Sequence, residues 1–198
     1  MMVFLRHNLA FLSIPKTGTH AYQALLGDRA DVIFRHPQHL KHMGLRRFEN
    51  RVVPLLDLQK PIEIFGIIRE PVDWLGSWFR YRARPEIRHR PASTLGRTFD
   101  AFVEAYLSDK PPPFAQVGSQ ADLIAPEGHA GRVQHLYKYD HPEAIADFLE
   151  NRLNTSLRDL PVVNTSPKAE LALDPGLRQQ LERKRAREFQ LYALARDE

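Results

Sequence analysis

The sequence predicts an α/β fold with a central, mainly parallel sheet flanked by helices, and three observations carry that prediction. Ile62 to Ile68 (IEIFGII) is β-branched and nearly all apolar, the pattern of a strand covered on both faces of a parallel sheet. A helical stripe follows it directly, with Val72, Leu75 and Phe79 on one side. An earlier apolar run, Leu9 to Ile14, passes through a short turn into another helical segment, so strand, loop and helix alternate. Parallel strands are joined by right-handed crossovers, and such sheets bind ligands outside the carboxyl ends of their strands. The expected architecture is a three-layer, P-loop-like arrangement in a single domain spanning 1–198.

Each element has its own signal. Leu9 to Ile14 reads as a short buried strand, broken by Pro15-Lys16-Thr17-Gly18-Thr19. His20 to Leu26 has a packing side of Ala21, Tyr22, Ala24 and Leu25, and Gly27 stops the helix. Asp31 to Phe34 is a second short strand, and a polar, His-rich loop runs from Arg35 to Gly44. Leu45 to Leu58 is helical with an interruption at Pro54. Arg69 and Glu70 end the central strand. Pro71 opens the next helix, where a missing N–H is tolerated, and Val72 to Ala83 continues it. A basic loop, Pro85 to Gly96, precedes a helix marked by Phe99, Phe102, Val103, Tyr106 and Leu107, which Pro111-Pro112-Pro113 ends. Val133 to Tyr137 is a strand, Pro142 to Leu153 a helix and Asn164 to Lys168 a loop. Asp174-Pro175 starts a last helix reaching about Leu194.

Composition narrows the chemistry. With 198 residues, 43% of them hydrophobic, the chain can bury a core of ordinary single-domain size. The absence of cysteine excludes disulfides, thiolate catalysis and cysteine-based zinc sites. A net charge of +4 suits an anionic ligand. Met1 to Ile14 is too short for a membrane span and has no signal-peptide cleavage pattern, and no later run is apolar for long enough. The expectation is a soluble, cytoplasmic protein.

Two anion handles stand out. In the turn Pro15-Lys16-Thr17-Gly18-Thr19, Gly18 lets the backbone turn tightly and approach a ligand. The first N–H groups of the following helix point into the turn, where the helix dipole also favours an anion. Lys16 adds a charge, and Thr17 and Thr19 add hydroxyl donors. The nucleotide-hydrolase motif places lysine after its second glycine; here lysine precedes the only glycine. The central strand ends in Arg69 rather than in a magnesium-binding aspartate, which favours a metal-free anion site. Arg69 therefore emerges on the same sheet edge as Lys16, with a planar fork suited to phosphate oxygens. Ser77 lies two turns along the next helix. Two anion sites on one edge imply a ligand with two separated anionic groups.

Together these segments resemble the superfamily of sulfotransferases that use 3′-phosphoadenosine 5′-phosphosulfate (PAPS). The likeness is closest to small bacterial sulfotransferase-like proteins. Pro15-Lys16-Thr17-Gly18-Thr19 resembles their 5′-phosphosulfate loop. Arg69-Glu70-Pro71, Ser77 and the aromatic-Arg pairs Phe79-Arg80 and Tyr81-Arg82 resemble their 3′-phosphate motif. The resemblance implies that Pro15, Lys16, Thr17, Gly18 and Thr19 hold the phosphosulfate and that Arg69 and Ser77 hold the 3′-phosphate. It also implies that Lys168, in Asn164-Thr165-Ser166-Pro167-Lys168, lies near the nucleotide. His20 departs from the small or hydroxyl residue expected there and puts an extra donor near the sulfate. The implied reaction moves a sulfuryl group from PAPS to a hydroxyl or amine of a carbohydrate or small metabolite, releasing PAP without a metal.

A hydroxyl acceptor must lose a proton, so a base is useful. His36, His39 and His42 lie in the loop after the second strand, and histidine titrates near pH 7. Lys41, Arg46 and Arg47 are expected to lower the pKa of His42, and Lys41-His42 resembles a recurrent Lys-His element of the bacterial group. His42 is therefore the expected base, with Lys16 meeting the charge on the leaving oxygen. Three histidines at spacing three also suggest a metal, but no carboxylate or cysteine completes a set before Glu49. Acceptor contacts are expected from His20, His39, Tyr81 and Arg84, the last two beside Ser77 on a helical stripe. The competing readings are a P-loop-type small-molecule kinase, a non-catalytic PAP-binding protein and a basic nucleic-acid module, the last set aside because the arginine-rich loop reads as a solvated rim.

Overall fold

The strands are β1 (Met2–Phe4), β2 (Leu9–Phe11), β3 (Val32–Ile33), β4 (Glu63–Ile68) and β5 (His135–Lys138). They form one sheet in the order β3-β1-β2-β4-β5 in a computed structural model that describes residues 1–128, 131–157 and 171–198. β4 is internal and runs parallel to both β2 and β5. Its Phe65 and Ile67 are buried on one face and Ile64 and Ile68 on the other, as the apolar run predicts.

The sheet is mixed rather than mainly parallel, because β1 pairs antiparallel with both β2 and β3. The sequence gives β1 no signal of its own. Three residues are too few to show alternation, and the reversal after it uses neither glycine nor proline. A 3₁₀ turn over Leu5–His7 ends at Asn8, a residue type that tolerates the left-handed region it occupies at φ 50°.

The helices are α1 (Thr19–Leu26), α2 (Gln38–Lys41), α3 (Leu45–Arg51), α4 (Pro71–Arg82), α5 (Phe99–Tyr106), α6 (Gln120–Ile124), α7 (Pro142–Leu153), α8 (Pro175–Lys184) and α9 (Ala186–Leu194). Pro54 closes the third helix early, leaving a 3₁₀ turn at Val53–Leu55. The expected last helix is split at Arg185, which leaves helical geometry between α8 and α9. The Asn164 to Lys168 loop lies outside the described residues. Among the described residues no helix is long and apolar enough to cross a membrane.

The chain forms two compact units. The first comprises Met1–Arg69, Gln120–Val163 and Leu194–Glu198, and it holds the whole sheet. Its core joins one face of the strands to Tyr22 and Leu26 of α1 and to Ile145, Leu149 and Leu153 of α7. Phe65 is fully buried at its centre, with its ring centroid 4.6 Å from Phe11 and 5.2 Å from Phe148. The second unit comprises Glu70–Ser119 with Asn164–Ala193; its described residues are helical in their regular structure and build their own core on Trp74, Phe102, Val103 and Leu181. Its helices start on side-chain caps: Glu70 accepts from the Asp73 N–H, Thr98 from Ala101 and Asp174 from Leu177.

Candidate functional site

Because β2, β4 and β5 are parallel, their carboxyl ends share one edge of the sheet. β2 runs out into the turn at Pro15–Gly18, β4 into Arg69 and β5 into Tyr139. The backbone N–H of Leu12 donates to Phe65 and that of Tyr139 donates to Ile68, so the three exits are tied to one another. Lys16 and Arg69 are brought together: Arg69 Nη1 donates to the Lys16 carbonyl at 3.2 Å.

The turn is held by its own chemistry. Thr17 is fully buried, and its Oγ1 donates to the Ile14 carbonyl at 2.9 Å. Gly18, at φ 70°, directly precedes α1, in a region L-residues avoid. A Cβ there would lie 3.3 Å from Tyr139 Cε2, so the glycine also lets Tyr139 come close. Lys16 itself sits at φ 68°, which costs a non-glycine residue on the order of 1 kcal/mol. Such costs concentrate at functional sites, and this one had no counterpart in the residue pattern. Thr19, the first residue of α1, is buried.

Two residues around Arg69 escaped the sequence reading. Tyr139 stacks under the guanidinium, with Arg69 Cζ 4.5 Å from its ring centroid. Gln120 is fully buried and clamps the Arg69 backbone: its Oε1 accepts from the Arg69 N–H at 3.0 Å, and its Nε2 donates to the Arg69 carbonyl at 2.9 Å. Both lie far along the chain in segments without motif character. Gln120→Leu leaves two buried backbone groups without their partner, and the expected cost is about 2 kcal/mol or more of unfolding free energy in urea titration. Gln120→Glu, which keeps the acceptor, is expected to lose less.

The expected base is placed beside the turn. His42 is half-buried, and its Nδ1 lies 2.6 Å from the Ser13 carbonyl. A carbonyl only accepts, so Nδ1 carries the proton and Nε2 is the lone-pair nitrogen of the neutral ring. Burial holds the His42 pKa below its ordinary value; the Ser13 bond opposes this, and the Lys41 and His20 charges reinforce it. The direction matches the expectation, but Arg46 and Arg47 are not its cause. Their guanidinium groups donate to the carbonyls of Glu127 and His39.

Lys41 has a larger part than the sequence suggested. It is only 5% exposed, which is rare for lysine, and its Nζ lies 2.7 Å from His20 Nε2. Burial lowers its pKa. An ammonium only donates, so His20 accepts at Nε2 and carries its own proton on Nδ1. Burial, then Lys41 and Lys16, keep the His20 pKa low. Both neutral rings are thus held in the Nδ1–H tautomer, but with opposite nitrogens engaged, so His42 presents the Nε2 lone pair and His20 presents its Nδ1–H.

His39 is exposed on α2, where its carbonyl accepts from Arg47. Ser77 is buried on α4 in the second unit. In that unit Tyr81 is half-buried, and Arg84, two residues beyond the end of α4, places Cζ 5.0 Å from its ring. Lys168 lies outside the described residues. Among the described residues, no group of three or more His, Asp and Glu side chains is suited to a metal ion. Comparisons with protein-family models, curated proteins and solved structures return no match.

Proposed function

We propose that this protein is a sulfotransferase that binds PAPS at the carboxyl edge of its sheet and transfers the sulfuryl group to a hydroxyl. The observation that carries the reading is the 3.2 Å hydrogen bond from Arg69 to the Lys16 carbonyl, which joins the two anion handles on one edge. The donor set suits a phosphosulfate: a cation, a glycine turn, the first N–H groups of an eight-residue helix and a guanidinium fork. The finer fold expectation, a P-loop-like three-layer arrangement, belongs to the same reading.

The bound donor supplies an activated sulfur–oxygen bond to its 5′-phosphate. The chain's own residues orient and discharge the reaction. Pro15 to Thr19 hold the phosphosulfate end, and Arg69 holds the second anionic group. His42 Nε2 takes the acceptor proton as the new S–O bond forms. The electron pair of the breaking S–O bond stays on the phosphate oxygen, where Lys16 and the turn N–H groups stabilise it. His20, through Nδ1–H, donates to a sulfuryl oxygen. Amine acceptors fit the same scheme.

Thermal unfolding with PAP tests the reading. Millimolar PAP is expected to raise the melting temperature, and ATP with magnesium to raise it less. Equal or larger stabilisation by ATP–magnesium favours a small-molecule kinase. No PAP shift counts against the reading, and a PAP shift without transfer from PAPS marks a non-catalytic binding protein.

A further inference from the structure

The residues just past His42 build a second basic feature in the first unit. Arg46, Arg47, Asn50 and Arg51 of α3, with Asp122 of α6, line a cleft of about 310 Å³. Its walls are rigidly joined. Gly44 packs so closely on Leu123 that a Cβ would lie 2.9 Å from the Leu123 backbone, so no other residue fits without displacing α6. Both walls are close along the chain to the candidate site: His42, which ends α2, lies two residues before Gly44, the N-cap of α3, and Gln120 of α6 clamps Arg69.

The lining has a readable chemistry. Three arginines and one aspartate are among its lining residues, so the charge balance of the cleft favours an anion. Arg46 and Arg47 each spend one N–H on a backbone carbonyl, at 2.9 and 3.3 Å, which fixes their direction while the planar fork suits a carboxylate or sulfate. Asn50 and Asp122 bring acceptors, which suit hydroxyl donors. Among the described residues no aromatic side chain lines the cleft, so they offer no stacking platform for a base. Its volume is that of a small-ligand pocket rather than of an extended duplex track.

We infer that this cleft is an acceptor subsite for an acidic sugar, with the arginines of α3 gripping its carboxylate or sulfate and Asn50 and Asp122 its hydroxyls. The inference deepens the sulfotransferase reading and rests on it for the word acceptor. It also selects different arginines from those between Arg80 and Arg90. There Arg80 pairs with Asp73, and Arg82 donates to the carbonyls of Pro113 and Gln116.

Calorimetric titration with an unsulfated chondroitin hexasaccharide tests it, with a neutral chitin hexasaccharide and a DNA hexanucleotide as controls. The protein is expected to prefer the chondroitin fragment. The triple variant Arg46→Gln, Arg47→Gln, Arg51→Gln is expected to lose about tenfold or more in affinity, as broken charge-assisted hydrogen bonds imply. Its PAP-induced thermal shift is expected to remain, which also shows that the variant is folded. Equal binding of the neutral sugar, tighter binding of DNA, absent chondroitin binding or an unaffected variant each overturns the inference. A PAP shift alongside any of these leaves the donor reading standing. Chondroitin binding that the variant loses, with no PAP shift in either protein, keeps the acidic-sugar site and removes the donor reading.

Discussion

Lys16→Ala and Arg69→Ala are each expected to remove about half or more of the stabilisation that PAP gives the wild-type protein. A charge-assisted hydrogen bond contributes about 1.5–3 kcal/mol, so losing one weakens binding by roughly tenfold to more than a hundredfold. Stabilisation follows the logarithm of ligand concentration over dissociation constant. At about 100 times the wild-type constant it is about 2.7 kcal/mol, and a hundredfold weaker variant keeps only about 0.4 kcal/mol at the same concentration. The two variants differ without ligand. Lys16→Ala keeps the main-chain carbonyl to which Arg69 donates, whereas Arg69→Ala removes that bond and the stack on Tyr139, so its unliganded melting temperature falls. Arg69→Lys retains charge but not the planar fork, and only part of the PAP shift is expected to return. Differential scanning fluorimetry across a PAP series separates these cases. A full PAP shift in both alanine variants sinks the assignment of this edge to the nucleotide.

The legible parts of this protein are those where one local pattern suffices. The run at Ile62 to Ile68 identified an internal parallel strand because burial on both faces removes alternation. Pro142 marked the start of a helix that does run from Pro142 to Leu153, because proline favours a first turn. The turn at Pro15 to Thr19 was legible because glycine and lysine chemistry is local. What could not be read depends on distant partners. β1 is defined by its neighbours rather than by its three residues, and it alone makes the sheet mixed. Gln120 and Tyr139 matter only because parallel pairing brings their segments to Arg69. Lys41 read as a charge near His42, yet its burial and its bond to His20 set that second histidine's tautomer. The arginines of α3 read as neighbours of His42, while the fold turns two of them onto carbonyls at the rim of a cleft.

Replacing His42 by alanine is expected to lower turnover by roughly 10²- to 10⁴-fold, the usual range for a lost general base, while leaving the PAP shift in place. The geometry explains the specificity of that loss: Ser13 engages Nδ1, so only Nε2 can take a proton from an acceptor. The pH profile carries the same signature. His42 acts only when neutral, and burial holds its pKa below the ordinary histidine value. Turnover is therefore expected to be flat through neutral pH and to fall only below about pH 6.5. Stability moves in the same direction. The unfolded chain binds the proton first as pH falls, so the contribution of His42 is complete above the unfolded pKa and is lost as pH drops through the lower folded one. His42→Gln removes this group from both curves. The acidic fall in stability then becomes shallower, with His20, whose pKa is also lowered, among the groups that supply what remains. A His42→Ala protein that turns over at the wild-type rate, with the same acidic limb, takes the base role away from this residue while leaving the anion turn untouched.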